Sequence, residues 1–374
     1  MLTLPNLQLP ATSPLEDSRP KRRIFPLMRI RLASLLVVGM AFASLPAHSV
    51  AYGLEGVRHF DHVVVLVLEN QNYDTSWGPG SVAHYLNSLR AQGVFADQYF
   101  ATGHVSLDNY IAMVSGQPWN PLTGSDCATV NLWMCVQAQQ LFSNGRHLGD
   151  QLDASGLSWK GYMDGMPSAC FHGSYSPTAI PPDPYQGDSN EPPAYNYADR
   201  HNPWIYFKNV IGNDARCKAH DVPYTQLAVD LAANDLPSFS FITPDTCNDG
   251  HDAPCANGKP GGLTTADAWL QQELPPLLNY LYANNGILMI TFDENGFTDL
   301  SLPFGCCHGG PLGLPGFGGK IGLLALGAGL TPGKVVHTKY DHASFLRTVE
   351  DSFGIGQYLN NAKSSKPMVD VFGP

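Results

Sequence analysis

The chain is 374 residues long, 44% apolar and only 14% charged, which is enough to bury a large core and too apolar for a disordered chain. Its formal charge is −11, from 21 Lys and Arg against 32 Asp and Glu, which argues against a nucleic-acid backbone as the main partner. A small phosphate-bearing molecule stays compatible, because a bound metal ion reverses the sign of the local field.

Residues 1–51 read as a leader. Lys21, Arg22, Arg23, Arg29 and Arg31 precede an apolar run from Leu32 to Leu45, and Ser49-Val50-Ala51 fits a small-x-small cleavage site. The run is short for a membrane span. The expectation is a secretory signal peptide, with residues 1–27 an upstream extension before a more usual start at Met28. An uncleaved anchor is the competing reading. Residues 52–374 are then expected to form a single domain, released to the periplasm or medium, with no stable membrane insertion.

FDHVVVLVL (60–68) is a nearly unbroken apolar run and predicts a strand buried on both faces. A helix is expected over 82–92, and a short one over 107–115 that stops at Gly116. Residues 116–135 are turn-rich. Residues 137–152 carry helical spacing interrupted by Gly145, and 163–203 form a Pro-, Tyr- and Gly-rich excursion. SFSFIT (238–243) is a second core strand, 266–283 a helix, and GILMITFDE (286–294) a third strand. Gly- and Pro-rich loops fill 303–319, IGLLALG (321–327) is a fourth strand, and 340–353 a final helix. Apolar strands alternating with helices predict a three-layer α/β/α sandwich around a mainly parallel sheet.

In such folds ligands sit beyond the carboxyl ends of the strands. The first strand runs into Glu69-Asn70, the second towards Asp245, Asn248, Asp249 and His251, and the third into Asp293-Glu294. Turn chemistry is the competing reading at any one of these. Three polar strand ends at the same topological level favour a site for a divalent metal ion, with Zn, Mn, Fe, Mg and Ca all open. Ser106 falls at a predicted helix start, where backbone N–H groups favour phosphate, and where a serine can equally be a plain cap.

Eight cysteines follow the leader, an even number that suggests disulfides in an oxidising compartment. Bridges 127–135 and 247–255 are the preferred pairs. Cys306 and Cys307 can pair with each other or with distant partners such as Cys170 and Cys217. No CxxC pair is present, so thiolate-bound structural zinc is not expected.

DHVVVLVLENQNYD (61–74) resembles the opening motif of the bacterial phosphoesterase family that contains secreted acid phosphatases and non-haemolytic phospholipases C. GHVSLDNYIAMVSG (103–116) resembles its nucleophile segment, H-P-S-x-P-N-Y followed by a helix and S-G, and ILMITFDENG (287–296) resembles its strand ending in Asp-Glu. RHNPWIYF (200–207), FITPDTCNDGHD (241–252) and YDHASFLRTVEDSFG (340–354) resemble further segments, so the likeness spans about 60–355. Three departures stand out: Val105 and Asp108 replace the motif's prolines, and Asn295-Gly296-Phe297 follows the Asp-Glu pair. Asp108 is expected to bring negative charge near an anionic substrate.

The resemblance implies an alkaline-phosphatase-like fold, a metal held by Glu69, Asn70, Asp293 and Glu294, and Ser106 as nucleophile. Phosphoryl transfer needs an in-line nucleophile and cations over the equatorial oxygens, and a serine needs activation by a metal or base. Asn109, one turn beyond Ser106, is a candidate donor to phosphate. Asp249 is a candidate ligand of a second metal ion or an orienter of His251. His104, His201, His251 and His342 are candidate proton donors to the leaving alcohol. His308 is a weaker candidate, and the remaining histidines read as structural. The expected activity is acid-phosphatase hydrolysis of a small phosphate monoester through phosphoserine, with phospholipase C action on lipid diesters as the alternative. Ser106 lies outside any C/S-x-P-x-R segment, so a formylglycine sulfatase does not fit.

Overall fold

The computed structural model describes residues 51–128, 130, 132–172, 196–255, 258–296 and 305–373. The expected leader and the middle of the 163–203 excursion lie outside the described residues. Among the described residues ten strands are formed: β1 His62–Leu68, β2 Val94–Ala96, β3 Tyr99–Phe100, β4 Trp159–Met163, β5 Asp221–Pro223, β6 Phe239–Thr243, β7 Gly286–Phe292, β8 Leu323–Gly327, β9 Lys334–Val336 and β10 Tyr340–Asp341. Eight of them make one sheet in the order β5-β4-β6-β1-β7-β8-β2-β9, and β3 pairs with β10 separately. The sheet is parallel except at β8, which runs antiparallel to both β7 and β2.

The four core strands read from the sequence, β6, β1, β7 and β8, are neighbours at the centre of this sheet. β1 lies between β6 and β7, with Val63 opposite both Phe239 and Ile287. Every residue of β6, β7 and β8 is buried, which requires cover on both faces and gives the α/β/α sandwich. The helix Gly262–Ala283 packs on β7 and β8, and the helix Ser106–Ser115 packs on the helix His342–Ser352.

Several boundaries differ from the sequence expectation. The span 137–152 is two helices, Leu132–Ser143 and Leu148–Ala154, because Asn144 and Gly145 both take positive φ and end the first. β7 stops at Phe292, so Asp293 and Glu294 lie just past the strand rather than in it. Tyr340-Asp341 is a strand, so the helix read as the final one starts only at His342, and a further short helix, Val369–Phe372, follows it. β4, with Lys160 and Gly161 inside it, and the three-residue β5 carried no apolar signature.

Cys127–Cys135 and Cys247–Cys255 pair as expected. Cys170 pairs with Cys217, and Cys306 with its neighbour Cys307, so the alternative of distant partners for 306 and 307 is not realised.

Candidate active site

The parallel register places Leu68 at the end of β1 beside Phe292 at the end of β7. The residues that follow therefore emerge together. Asp293 N–H donates to Leu68 O at 2.9 Å, and Glu69 N–H donates to Asp249 O at 2.9 Å. Asn70 turns back over the strand ends with a φ of 23°. Its N–H donates to Asp293 Oδ1 at 3.3 Å and its Nδ2 to Glu294 Oε1 at 3.0 Å. Glu69, Asp249, Asp293 and Glu294 are all fully buried.

Four buried carboxyl groups in one place cannot all ionise without a compensating cation. Burial first, then Asp293, pushes Glu69 well above the usual carboxylate range. Burial and Glu294 do the same to Asp293, and burial and Glu69 to Asp249. Burial, then Glu69, raises Glu294 to about 10. Asn70 Oδ1, Asp249 Oδ2 and Asp293 Oδ2 are buried and accept no hydrogen bond. These orphaned oxygens are the donor chemistry of a hard divalent cation. Among the described residues, no three His, Cys, Asp or Glu side chains stand ready-made as a metal-holding group.

Ser106 opens the helix Ser106–Ser115. The N-cap position belongs to Val105, which has no side-chain cap, so Ser106 is not spent on capping. Instead Ser106 Oγ donates to Glu69 Oε2 at 2.9 Å, and Tyr110, one turn on, donates its hydroxyl to Glu69 Oε1 at 2.7 Å. The Leu107 N–H donates to Asp126 Oδ1 at 2.9 Å. Asn109 uses its whole amide within the turn: Oδ1 accepts from Thr102 N–H and Gly103 N–H at 2.9 and 3.0 Å, and Nδ2 donates to Gly103 O and Val105 O at 2.9 and 3.0 Å. It shapes the loop that carries His104 and leaves no donor for phosphate. The helix ends at Gly116 with φ 66°, where a Cβ would stand 2.9 Å from Leu359 O.

His104, partly exposed, bonds Glu294 Oε2 through Nδ1. His201 is buried with Nε2 3.3 Å from Glu69 Oε1 and Nδ1 3.5 Å from Asp249 Oδ2, and it stacks on Tyr110 at 5.3 Å. Burial, then the Arg200 charge, holds its pKa well below the ordinary value. His251 is exposed, 6.3 Å ring to ring from His201, with Nδ1 2.8 Å from Asp252 Oδ1 and its N–H donating to Asp249 Oδ1 at 2.7 Å. Asp249 Oδ1 thus fixes the His251 backbone, while Oδ2 is buried without a hydrogen bond, facing His201 Nδ1.

A sequence model of the Phosphoesterase family matches residues 79–356. The chain belongs to the phosphoesterase family. It is a hydrolase of phosphoric ester bonds. It is 27% identical over 365 residues to the phosphatidylinositol-3-phosphatase of Mycobacterium tuberculosis, covering 95% of this chain and 97% of that one. It is 28% identical over 330 residues to a probable acid phosphatase of Kluyveromyces lactis, covering 86% of this chain and 65% of that one. It is also 28% identical over 264 residues to an acid phosphatase of Aspergillus fumigatus, covering 70% of this chain and 51% of that one. The chain thus spans about half to two thirds of the length of those two fungal relatives. Among solved structures, a glycosaminoglycan-metabolism protein of Bacteroides thetaiotaomicron aligns with TM-score 0.50 at 11% identity, covering 84% of this chain and 82% of that one. A protein in the alkaline phosphatase superfamily from Vibrio parahaemolyticus aligns with TM-score 0.49 at 14% identity, covering 84% and 72%.

Within this phosphoesterase, the structure moves two expected residues. His342 is not at the reacting face. Its Nε2 donates to the Asp293 carbonyl at 2.8 Å, Tyr99 donates to its Nδ1 at 3.0 Å, and burial lowers it to about 4. It props the Asp293 backbone from behind and has no free proton to give. Asp108 is buried, and burial, followed by Glu294 and Asp126, pushes its carboxyl well above the ordinary value. It is therefore held towards its neutral acid instead of adding the expected negative charge.

Three residues escaped the sequence reading. Tyr110 was visible in the motif only as its last letter. Asp126 reaches the helix start from a turn, twenty residues away from Ser106 in the chain. Arg200 lies 3.9 Å from Asp126 Oδ2. Burial opposes its charge, but Glu69, Asp126 and Asp249 outweigh that and raise its pKa above the ordinary value. It immediately precedes His201 in a segment already singled out, which was the available signal.

Proposed function

We propose that this phosphoesterase is an exported, metal-dependent phosphomonoesterase of the acid-phosphatase kind, working through phosphorylated Ser106. The observation that carries the reading is the 2.9 Å bond from Ser106 Oγ to buried Glu69 at the mouth of a helix. It sets a hydroxyl against an acceptor at a point where backbone dipoles favour an anion. The relatives' names, phosphatidylinositol-3-phosphatase and acid phosphatase, support a phosphatase over other esterases. The four disulfides and the basic-apolar leader support export.

Glu69, Asn70, Asp293 and Glu294 would hold the cation, with Asp249 adjacent. When bound, it supplies Lewis-acid stabilisation of charge on the serine and phosphate oxygens. Ser106 Oγ attacks phosphorus and its proton passes towards Glu69 Oε2, the atom already accepting it. Arg200 offsets the negative charge of the phosphate. As the Ser106 O–P bond forms, the ester P–O bond breaks and the departing oxygen takes one proton, from His104 or His251, the two histidines of the site that reach solvent; water then attacks the phosphoserine, releasing phosphate and restoring the Ser106 hydroxyl. Asn109 and Tyr110 hold the Ser106 turn and Glu69 in register.

Acid-quenched trapping with labelled monoester tests this. Wild type should carry label on Ser106. Ser106→Ala should lose it, keep its fold, and lose about 10³-fold or more in kcat. A Ser106→Ala enzyme keeping more than about a tenth of the wild-type rate overturns the reading.

A further inference from the structure

The loop after the vicinal disulfide is not absorbed by the catalytic reading. A Gly309–Pro315 bridge closes it into a tight hairpin, with Gly310 N–H on Leu314 O at 3.0 Å and Leu314 N–H on Pro311 O at 3.1 Å. Its tip turns apolar side chains outward: Leu312 is 101% exposed and Leu314 59%. Leu312 also takes φ 57°, a left-handed backbone that a bulky residue adopts only under constraint. Folding alone gives no return for this arrangement, since neither side chain is buried.

The base of the hairpin is fused to the wall of the active site. Phe317 N–H donates to Thr102 O at 2.9 Å and Trp119 N–H to Gly309 O at 2.7 Å. Gly316 is backed so closely that a Cβ would stand 2.7 Å from Ala101 O, and a Cβ at Gly318 would overlap the Gly103 carbonyl. The Phe317 ring lies 6.2 Å from His104. The tip is therefore held rigidly on the loop that leads into Ser106.

Cations gather on the segments touching the residues that lead into the hairpin. Cys307 Sγ is 4.0 Å from the carbonyl of exposed Lys339. His308 Nδ1 is 3.1 Å from Ser365 Oγ, and exposed Lys363 and Lys366 flank Ser365. The chain as a whole carries a net charge of −11, so these lysines stand against an acidic background. Apolar insertion beside basic residues is the chemistry of docking to an anionic lipid surface.

We infer that the 309–315 hairpin, with Leu312 and Leu314 at its tip and Lys339, Lys363 and Lys366 near its base, docks this enzyme on an anionic phospholipid surface, so that Ser106 acts on phosphate esters carried by that surface. The second clause rests on the phosphoesterase reading of Ser106, and the first does not. The contact is peripheral: among the described residues no helix is long and apolar enough to cross a membrane.

Co-sedimentation of the full exported chain with phosphatidylcholine vesicles, with and without phosphatidylglycerol, tests the docking. Wild type should bind the anionic vesicles preferentially. Leu312→Ser/Leu314→Ser should bind them at least about tenfold more weakly, because two leucine side chains no longer leave water. Lys363→Glu/Lys366→Glu should abolish the preference for anionic lipid. Turnover of p-nitrophenyl phosphate should be unchanged in both double variants, which also reports that they are folded. Wild type that ignores both vesicles, or a leucine variant that binds like wild type, overturns the inference. So does a wild type that is dimeric in solution while the leucine variant is monomeric, since the tip then serves a second copy. Ser106→Ala that binds vesicles normally but does not turn over supports both readings. Loss of vesicle binding with intact trapping at Ser106 sinks this inference alone.

Discussion

At the scale of single residues, this molecule keeps carboxyl groups where water cannot reach them, and the consequence differs by place. At the strand ends the buried acids lie together and have unpaired oxygens, so they call for a cation. Glu350, far from those ends, has another solution. Its Oε1 accepts from Gln151 Nε2 at 2.9 Å and Leu359 N–H at 2.8 Å, while Oε2 is buried without a partner. Burial raises its pKa from 4.5 to about 8. The folded protein therefore holds this proton and the unfolded chain releases it. Stability from this group is complete below pH 4.5 and is lost as pH rises towards 8, a loss of at most about 5 kcal/mol at roughly 1.4 kcal/mol per pH unit. Glu350→Gln keeps an acceptor in place of Oε1 and cannot ionise. Thermal melts from pH 5 to 8 should fall less steeply for Glu350→Gln than for wild type, with the variant the more stable of the two at pH 8. Parallel slopes would assign the pH response to other groups.

At the scale of elements, the Ser106 helix shows how a short segment is aimed. It is entered through a loop clamped by four Asn109 bonds, capped at Leu107 by Asp126, and stopped at Gly116. Replacing Asn109 with Ala unpairs two backbone N–H groups and two carbonyls. The cost should be roughly 2–4 kcal/mol, from about 1 kcal/mol per lost buried hydrogen bond. Because the loop also carries His104, kcat should fall along with the melting temperature, while KM for a small monoester changes little. If Asn109→Ala instead raised KM alone, the amide would be a substrate contact rather than part of the turn.

At the scale of the whole molecule, the proposed cation would tie together strand ends far apart in the chain, and Cys170–Cys217 links segments 47 residues apart, while the other three disulfides close local turns. Asp293→Asn should lower bound divalent metal as well as activity, because the remaining groups hold a cation poorly. Chelation should inactivate wild type and lower its melting temperature, with both restored by added divalent ion. Active enzyme carrying less than about a tenth of an equivalent of metal would end the metal-site proposal, since each working site needs its ion. Export has its own measurement. Intact mass of protein recovered from periplasm or medium should match a start near Tyr52 and be eight hydrogens lighter than the all-thiol chain, as four disulfides require.

The sequence alone was sufficient for β1, β6, β7 and β8, because strands covered on both faces are mostly apolar, a signature that survives the buried Ser240 and Thr243 of β6 and Thr291 of β7. It was also sufficient to single out Glu69, Asn70, Asp293 and Glu294, since polarity that begins abruptly after such a run marks a strand's carboxyl end. It missed β2, β3, β4, β5, β9 and β10: two or three residues, or five with Lys160 and Gly161 among them, carry too little periodicity to stand out. Only the tertiary structure decided which way side chains face. His104 and His342 look alike as letters in motifs, yet one reaches Glu294 and solvent while the other is locked behind Asp293 by two hydrogen bonds. Tyr110, Asp126 and Arg200 joined the site through packing of segments far apart in the chain. The physical reason is common to all these cases. Burial on two faces writes itself into composition along a strand, whereas the direction of a polar side chain is set by partners that the chain brings close only when it folds.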